Sequence, residues 1–280
     1  MAHQEFELRG ALALVTGAGS GIGRATALEL ARAGARVLAV DIDEASAKET
    51  AGLCADAGSG DAAAAHAAYA ADVADADAML GLAARVHAEH GPIDVLVNNA
   101  GVGMSGPFLD TSLDDWDWII GINLKGVING CHAFGPAMVE RGSGHVVNMS
   151  SGLGYTPTPT EPAYVATKAA VLALSQSLRA DWHAKGVGVS AVCPGVINTP
   201  IIQHTRFRGE RADPGQRRRA ERMFRRGHKP ELVAKAVVAA VRRNRSVVPV
   251  GFEARIGWFL HRFVPDVVRE RVARSTMRPV

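Results

Sequence analysis

The chain has 280 residues, 48% of them hydrophobic and 21% charged, with a formal net charge of +3. That composition argues against a disordered or fibrous chain and supplies enough apolar side chains for a substantial core. Three widely spaced cysteines, Cys54, Cys131 and Cys193, include no C-x-x-C pair; they suggest neither a disulfide framework nor a zinc site and set a reducing cytosol as the expectation.

The opening M-A-H-Q-E-F-E-L-R-G lacks the basic stretch and apolar core of a signal peptide, so residues 1–10 read as a short tail. No run of about 18 uncharged apolar residues occurs, so no transmembrane helix is expected and the cytoplasm is the expected location. Beyond the tail, short β-rich runs alternate with longer Ala/Leu-rich ones. Strands are expected at 11–16, 36–41, 66–71, 94–98, 145–150, 187–193 and 246–250. Helices are expected at 21–33, 44–57, 75–89, 113–141, 162–185 and 230–243. The strand runs are continuously apolar rather than alternating, as in a sheet covered on both faces. Their regular alternation with helices predicts an α/β fold, a Rossmann-type doubly wound parallel sheet of seven strands, in a single domain over residues 11–250.

The first strand runs into T-G-A-G-S-G-I-G, from Thr16 to Gly23, which opens the first helix. Gly17 permits the tight turn, Gly21 lets the backbone approach a pyrophosphate, and Gly23 allows close packing of helix on strand. Phosphates would meet the unpaired N–H groups and positive end of that helix. A glycine-rich turn alone is weak; between a strand and a helix it points to a dinucleotide. Asp41 closes the second strand, 18 residues past Gly23. A carboxylate there accepts both ribose hydroxyls of NAD and repels the 2′-phosphate of NADP, whereas Asp43 better suits a helix cap. Ser20 leaves the turn without a cation for that phosphate, so NAD is the expected cofactor.

Tyr164 and Lys168 stand at i and i+4 in Y-V-A-T-K, on one face of a helix-forming run. A free tyrosine titrates near ~10, and an adjacent ammonium should draw it down toward the range of an acid/base catalyst. The same spacing also occurs on solvated helix faces, so the pair needs its neighbours. Residues 196–229 form a long, Arg-rich and irregular connection, expected to be a lid over a site. Residues 251–280 read as a helical extension of two short helices broken at Pro265. In it Ile256, Phe259, Leu260 and Phe263 fall at i, i+3, i+4 and i+7, making one apolar face. Charge is lopsided: residues 1–200 carry a net −10 and residues 201–280 a net +13. A solvated arginine-rich surface explains this, as does an anionic partner or membrane surface.

With N-N-A-G from Asn98, N-M-S-S from Asn148, Y-V-A-T-K from Tyr164 and P-G-V-I-N-T from Pro194 in order after the glycine-rich turn, the chain resembles the short-chain dehydrogenase/reductase family. The resemblance covers residues 12–250. It implies that Asp72 and Val73 contact adenine, and that Asn99, Ala100 and Gly101 support the sheet beside the cofactor. Ser151, 13 residues before Tyr164, would hold the substrate oxygen, with Ser150 as its structural neighbour. Asn123 would anchor a water near Lys168, and Lys168 would also grip the nicotinamide ribose. Pro194, Gly195, Val196, Ile197 and Thr199 would close over the nicotinamide, with Ile22, Ile42 and Met149 completing the cofactor contacts. No metal is implied.

The implied activity is an NAD-dependent alcohol dehydrogenase or carbonyl reductase for a hydrophobic secondary alcohol or ketone, with Tyr164 as acid/base. Few charged groups surround residues 151–161, which favours an uncharged, fairly apolar substrate. The alternative is a non-catalytic NAD-sensing regulator with a basic C-terminal interaction region. The family also implies a homodimer or homotetramer built on the helices at 113–141 and 162–185. Nucleic-acid binding through Arg217, Arg218, Arg219, Arg225 and Arg226 is not expected, because no recognition motif accompanies them. Residues after Val250 lie outside the resemblance; they would cap an apolar pocket, pack on a neighbouring subunit or touch a membrane surface.

Overall fold

Strand β1 (Leu12–Thr16) leads into α1 (Gly21–Arg32), and the same step repeats through β2 (Arg36–Asp41), α2 (Glu44–Ala57), β3 (Ala67–Ala70), α3 (Ala76–His90) and β4 (Val95–Asn98). The structure is a computed structural model and describes residues 5–58 and 66–265. After β4 come β5 (Met104–Ser105), α4 (Leu113–Ile120), a π-helical turn (Gly121–Lys125), α5 (Gly126–Arg141), β6 (Gly144–Met149), α6 (Pro162–Trp182) and β7 (Val187–Pro194). The chain closes through β8 (Arg206–Phe207), α7 (Pro214–Arg225), α8 (Pro230–Arg242), β9 (Val247–Val250) and α9 (Phe252–Phe263).

Seven strands form one parallel sheet in the order β3-β2-β1-β4-β6-β7-β9. The chain starts in the middle, winds outward to β3, then returns beside β1 and winds the other way. This is the doubly wound Rossmann fold expected from the alternation, in a single domain, with its switch point between β1 and β4. Successive residues of a strand face opposite sides. Ala13 and Val15 of β1 join a core with Leu30, Val237 and Val241, beneath α1 and α8. Leu12 and Leu14 join a second core with Val86, Phe134, Met138 and Val171, beneath α3, α5 and α6. Two covered faces are why the strand runs read as continuously apolar.

Three local expectations need correction. The helix expected over 113–141 is split by the π-helical turn, which turns Asn123 fully into the interior. Such a widened turn carries no periodicity signal of its own. Strand β3 ends at Ala70, so Asp72 and Val73 lie just beyond it. The connection over 196–229 is not irregular: it holds β8, paired in parallel with β5, and the twelve-residue α7. Asp213 caps α7, accepting from the N–H groups of Gly215 and Gln216, and Pro214 occupies its first position. Its arginine-rich composition hides that start signal.

In the C-terminal extension, helix α9 buries Ala254 and Gly257, and the apolar stripe is exposed, with Phe259 at 58% and Phe263 at 64%. A Cβ at Gly257 would lie 2.6 Å from Thr156, so small residues set this close contact and the large ones point outward. The second helix expected after Pro265 lies outside the described residues, as do residues 1–4 of the tail. Among the described residues no helix is long and apolar enough to cross a membrane.

Candidate active site

A cavity of about 750 Å³ runs along the carboxyl ends of the central strands. Gly17 (φ +62°) and Gly21 (φ +53°) occupy the left-handed region that the turn after β1 demands. Ser20, the N-cap of α1, makes no side-chain cap bond, and the first turn holds no acidic residue. The helix therefore presents its own first-turn amides to the cavity rather than to a side chain, which suits a phosphate group. Asp41 braces this loop: one carboxylate oxygen accepts from Gly19 N–H at 2.8 Å, the other from Asp43 N–H at 3.1 Å. Asp43 caps α2 through Ala45 N–H.

Across the switch point, Thr16 Oγ1 accepts from the N–H groups of Asn99 (3.0 Å) and Ala100 (3.1 Å). Asn99 Nδ2 in turn donates to the carbonyls of Thr16 and Gly17. These bonds lock the loops after β1 and β4 together. Every residue expected to touch a nucleotide lines the cavity, from Gly17 and Ser20 through Asp72, Val73 and Met149 to Ile197 and Thr199. The cradle fits a dinucleotide.

Ser151, Tyr164 and Lys168 line the same cavity where β6 ends and α6 begins. Lys168 Nζ donates to the Met149 carbonyl at 3.0 Å and lies 5.7 Å from the Tyr164 ring centroid. Ser150 Oγ donates to the Lys168 carbonyl at 2.7 Å, tying α6 to the end of β6. Asn123 stands behind the cavity wall. Its Oδ1 accepts from Val102 N–H at 2.8 Å, and its Nδ2 donates to the Val102 carbonyl at 2.9 Å and to Thr167 Oγ1 at 3.4 Å. Both amide donors are thus used, leaving one lone pair on Oδ1 for a water.

The expected lowering of the tyrosine does not occur in the protein alone. Burial pushes the Tyr164 phenol up to about 12, against the pull of a hydrogen bond with Ser151. Burial also brings the Lys168 ammonium down to about 8. The i,i+4 spacing establishes that the two groups are neighbours; it says nothing of how deeply the helix start is buried, and desolvation dominates here.

The substrate end of the cavity is more polar than the sequence around residues 151–161 suggests. Leu153, Ile201, Ile202, Phe207, Met223 and Phe224 line it, but so do Thr158, Thr160, Glu161, His204 and Arg211. The lining residues between Ile201 and Phe224, and Glu253 and Ala254 of α9, had no motif to reveal them. Glu253 Oε1 accepts from Val196 N–H at 2.7 Å, and Tyr155 Oη donates to the Ala254 carbonyl at 2.8 Å. The first turn of α9 therefore belongs to the cavity wall, although its exposed stripe does not.

Asp115 of α4 anchors the other side of this region. It is 2% exposed and accepts from Arg208 through both oxygens at 2.7 Å, and from Arg206 at 3.2 Å. The Arg208 guanidinium holds the Asp115 carboxyl down at about 2, against the upward push of burial. Arg206 also stacks 3.9 Å over Trp118. A depressed carboxyl stabilises the fold above its ordinary range, and that contribution is lost as pH falls toward 2. Because both arginines are partly solvated, Asp115→Asn is expected to cost about 1–2 kcal/mol, or about 2–8 °C in Tm at pH 7. Thermal melts should show the gap to the parent protein closing between about pH 4 and pH 2.

The profile of the short chain dehydrogenase family matches residues 11–208, which takes in the nucleotide cradle and the Ser151, Tyr164 and Lys168 cluster. This chain belongs to the short-chain dehydrogenase family. It is similar to the probable oxidoreductase EphD of Mycobacterium tuberculosis, 45% identical over 264 residues, which is 92% of this chain and 44% of that protein. The chain thus spans less than half the length of that relative. D-threitol dehydrogenase of Mycolicibacterium smegmatis is 42% identical over 210 residues, 75% of this chain and 78% of that enzyme. Among solved structures, a short-chain dehydrogenase/reductase from Burkholderia phymatum in complex with NAD superposes with a TM-score of 0.84 at 29% identity, over 98% of this chain and 99% of that one.

Proposed function

We propose that this short-chain dehydrogenase is an NAD-dependent oxidoreductase that interconverts a secondary alcohol and a ketone. The observation that carries this reading is the convergence of Ser151, Tyr164 and Lys168 at one end of a cavity whose other end is a dinucleotide cradle. The NAD complex of the Burkholderia phymatum relative and the dehydrogenase name of the Mycolicibacterium smegmatis one support it.

When bound, the nicotinamide dinucleotide supplies or accepts the hydride. The chain handles the proton. Ser151 hydrogen-bonds the substrate oxygen and holds it against Tyr164. In reduction Tyr164 gives its proton to the forming alkoxide; in oxidation it takes the alcohol's proton. Lys168 grips the nicotinamide ribose and places a positive charge beside the phenol, opposing the upward push of burial. The Lys168 Nζ and Asn123 Oδ1 both border Gly101, at 3.4 and 3.2 Å from where a Cβ would stand. A water between them would relay Tyr164's proton outward. Asn123 acts mainly as a positioning residue, through Val102.

Asp41 is proposed to select NAD, because its carboxylate lines the cavity at the end of β2 beside the glycine-rich turn, and the Arg24 guanidinium is occupied by the Gly19 carbonyl, Thr50 Oγ1 and Glu49. Residues 196–229 serve as the substrate lid, and a homodimer or homotetramer is the proposed assembly. Initial rates over steroids, retinoids and aliphatic and aromatic secondary alcohols, each with NAD⁺ and NADP⁺, test the reading. NAD⁺ is expected to be favoured at least about 30-fold in kcat/KM, the ratio set by about 2 kcal/mol. Asp41→Asn should narrow that ratio. A preference for NADP⁺ in the parent protein would remove Asp41 from this role, and no turnover with either nucleotide would remove the function.

A further inference from the structure

Two charged side chains stand in the substrate end of the cavity, and the proposed mechanism uses neither. Glu161 lies three residues before Tyr164, at the N-cap of α6, and makes no side-chain cap bond there. Arg211 comes from the single 3₁₀ turn Gly209–Ala212 and donates through Nε to Ser105 Oγ at 3.2 Å. The next residue, Gly106, donates its N–H to the Thr160 carbonyl at 2.8 Å. Adjacent residues thus hold the guanidinium on one side and the backbone of Thr160 and Glu161 on the other. The two charges sense each other: burial raises the Glu161 carboxyl and Arg211 pulls it back. Glu161 in turn pushes up the Tyr164 phenol, which places it within electrostatic reach of the proton-transfer group.

The pair forms no ion pair within 4.0 Å, and among the described residues no hydrogen bond uses the Glu161 carboxylate or the terminal nitrogens of Arg211. Both residues line the cavity, so it offers two acceptor oxygens and the terminal donors of a guanidinium that nothing else claims. An apolar group placed there would leave both charges unpaired. A carboxylate would satisfy Arg211 and be repelled by Glu161; an ammonium would meet the reverse. A hydroxyl satisfies both, donating to Glu161 and accepting from Arg211.

We propose that Glu161 and Arg211 jointly bind a second hydroxyl of the substrate, so that the preferred substrate is a neutral vicinal or 1,3-diol whose apolar remainder lies against Ile202, Met223 and Phe224. This deepens the proposed function and rests on it. It also revises the fairly apolar substrate expected from residues 151–161.

The test is a matched series of seven-carbon compounds with NAD⁺: 2-heptanol, 2,3-heptanediol, 2,4-heptanediol and 3-hydroxyheptanoate. The better diol is expected to exceed 2-heptanol at least tenfold in kcat/KM, chiefly through a lower KM. Glu161→Leu and Arg211→Leu should each bring the diol to mono-ol ratio close to one. Glu161→Gln, whose amide can still accept a hydrogen bond, should keep part of the preference, with thermal melts confirming that each variant folds. Equal rates on diols and 2-heptanol, preference for the hydroxy acid, or an unchanged ratio in the Leu variants would overturn the inference and leave the oxidoreductase standing. No oxidation of any compound in the series would overturn the inference, and the proposed function falls with it only if the wider alcohol panel is inert as well.

Discussion

Tyr164→Phe is expected to lower kcat by about 10²- to 10⁴-fold in both directions, the range that a positioned general acid/base contributes. The ring is retained, so packing at the start of α6 is kept and only the hydroxyl is lost. Ser151, its hydrogen-bond partner, has no acidity near neutrality and cannot take its place. Because burial holds the free phenol up at about 12, the proton sits on Tyr164 throughout the neutral range. Ketone reduction therefore starts from the correct form, and its rate should stay level through neutral pH and fall at alkaline pH. Oxidation needs the proton removed and should rise with pH. Both dependences should vanish in Tyr164→Phe, while NADH binding, read by fluorescence titration, changes by no more than about twofold, a few tenths of a kcal/mol. Near-parent turnover in that variant would exclude Tyr164 as the acid/base group.

The parts of this site that were legible in the sequence are those built from residues close together along the chain. Thr16 to Gly23 is one strand, one turn and one helix start, so its glycines disclose both a conformation and a ligand. Tyr164 and Lys168 are neighbours by helical geometry alone. What escaped are pairings between distant segments. Glu161 and Arg211 line one cavity, with Ser105 bonded to Arg211 and Gly106 to the Thr160 carbonyl, and a two-residue strand such as β5 has no periodicity to find. The stripe on α9 was readable as an apolar face, yet amphipathicity does not say which face packs; Ala254 and Gly257 do, because only small residues allow the approach to Tyr155 and Thr156. Depth of burial is likewise a property of the whole fold, so the spacing of Tyr164 and Lys168 could not reveal that desolvation would outweigh the lysine's charge.

Gly23→Ala should be a strongly damaging single methyl, because it lies where helix α1 packs on the turn after β1. Its Cβ would run into the Gly17 carbonyl oxygen and come within 2.6 Å of Asn99 Nδ2. The first obstacle is backbone, so no rotamer change relieves it; either α1 shifts outward or the turn after β1 opens. Overpacking of this kind costs about 1–3 kcal/mol, which for a domain of this size lowers Tm by about 2–12 °C. The same substitution at Gly52 is the control. That glycine is exposed within α2 and a Cβ there would meet nothing within 4 Å. Alanine is the better helix former by about 0.5–1 kcal/mol, so Gly52→Ala should raise Tm slightly. Melting each variant with and without NAD⁺ separates packing from binding, because a ligand adds stability only in proportion to its affinity for the folded state. A Gly23→Ala protein that melts early and gains little from NAD⁺ has lost the turn that meets the phosphates. One that melts early but gains as much as the parent has moved α1 without moving the turn, and the phosphates are then held by the loop amides rather than by the packing of helix on strand.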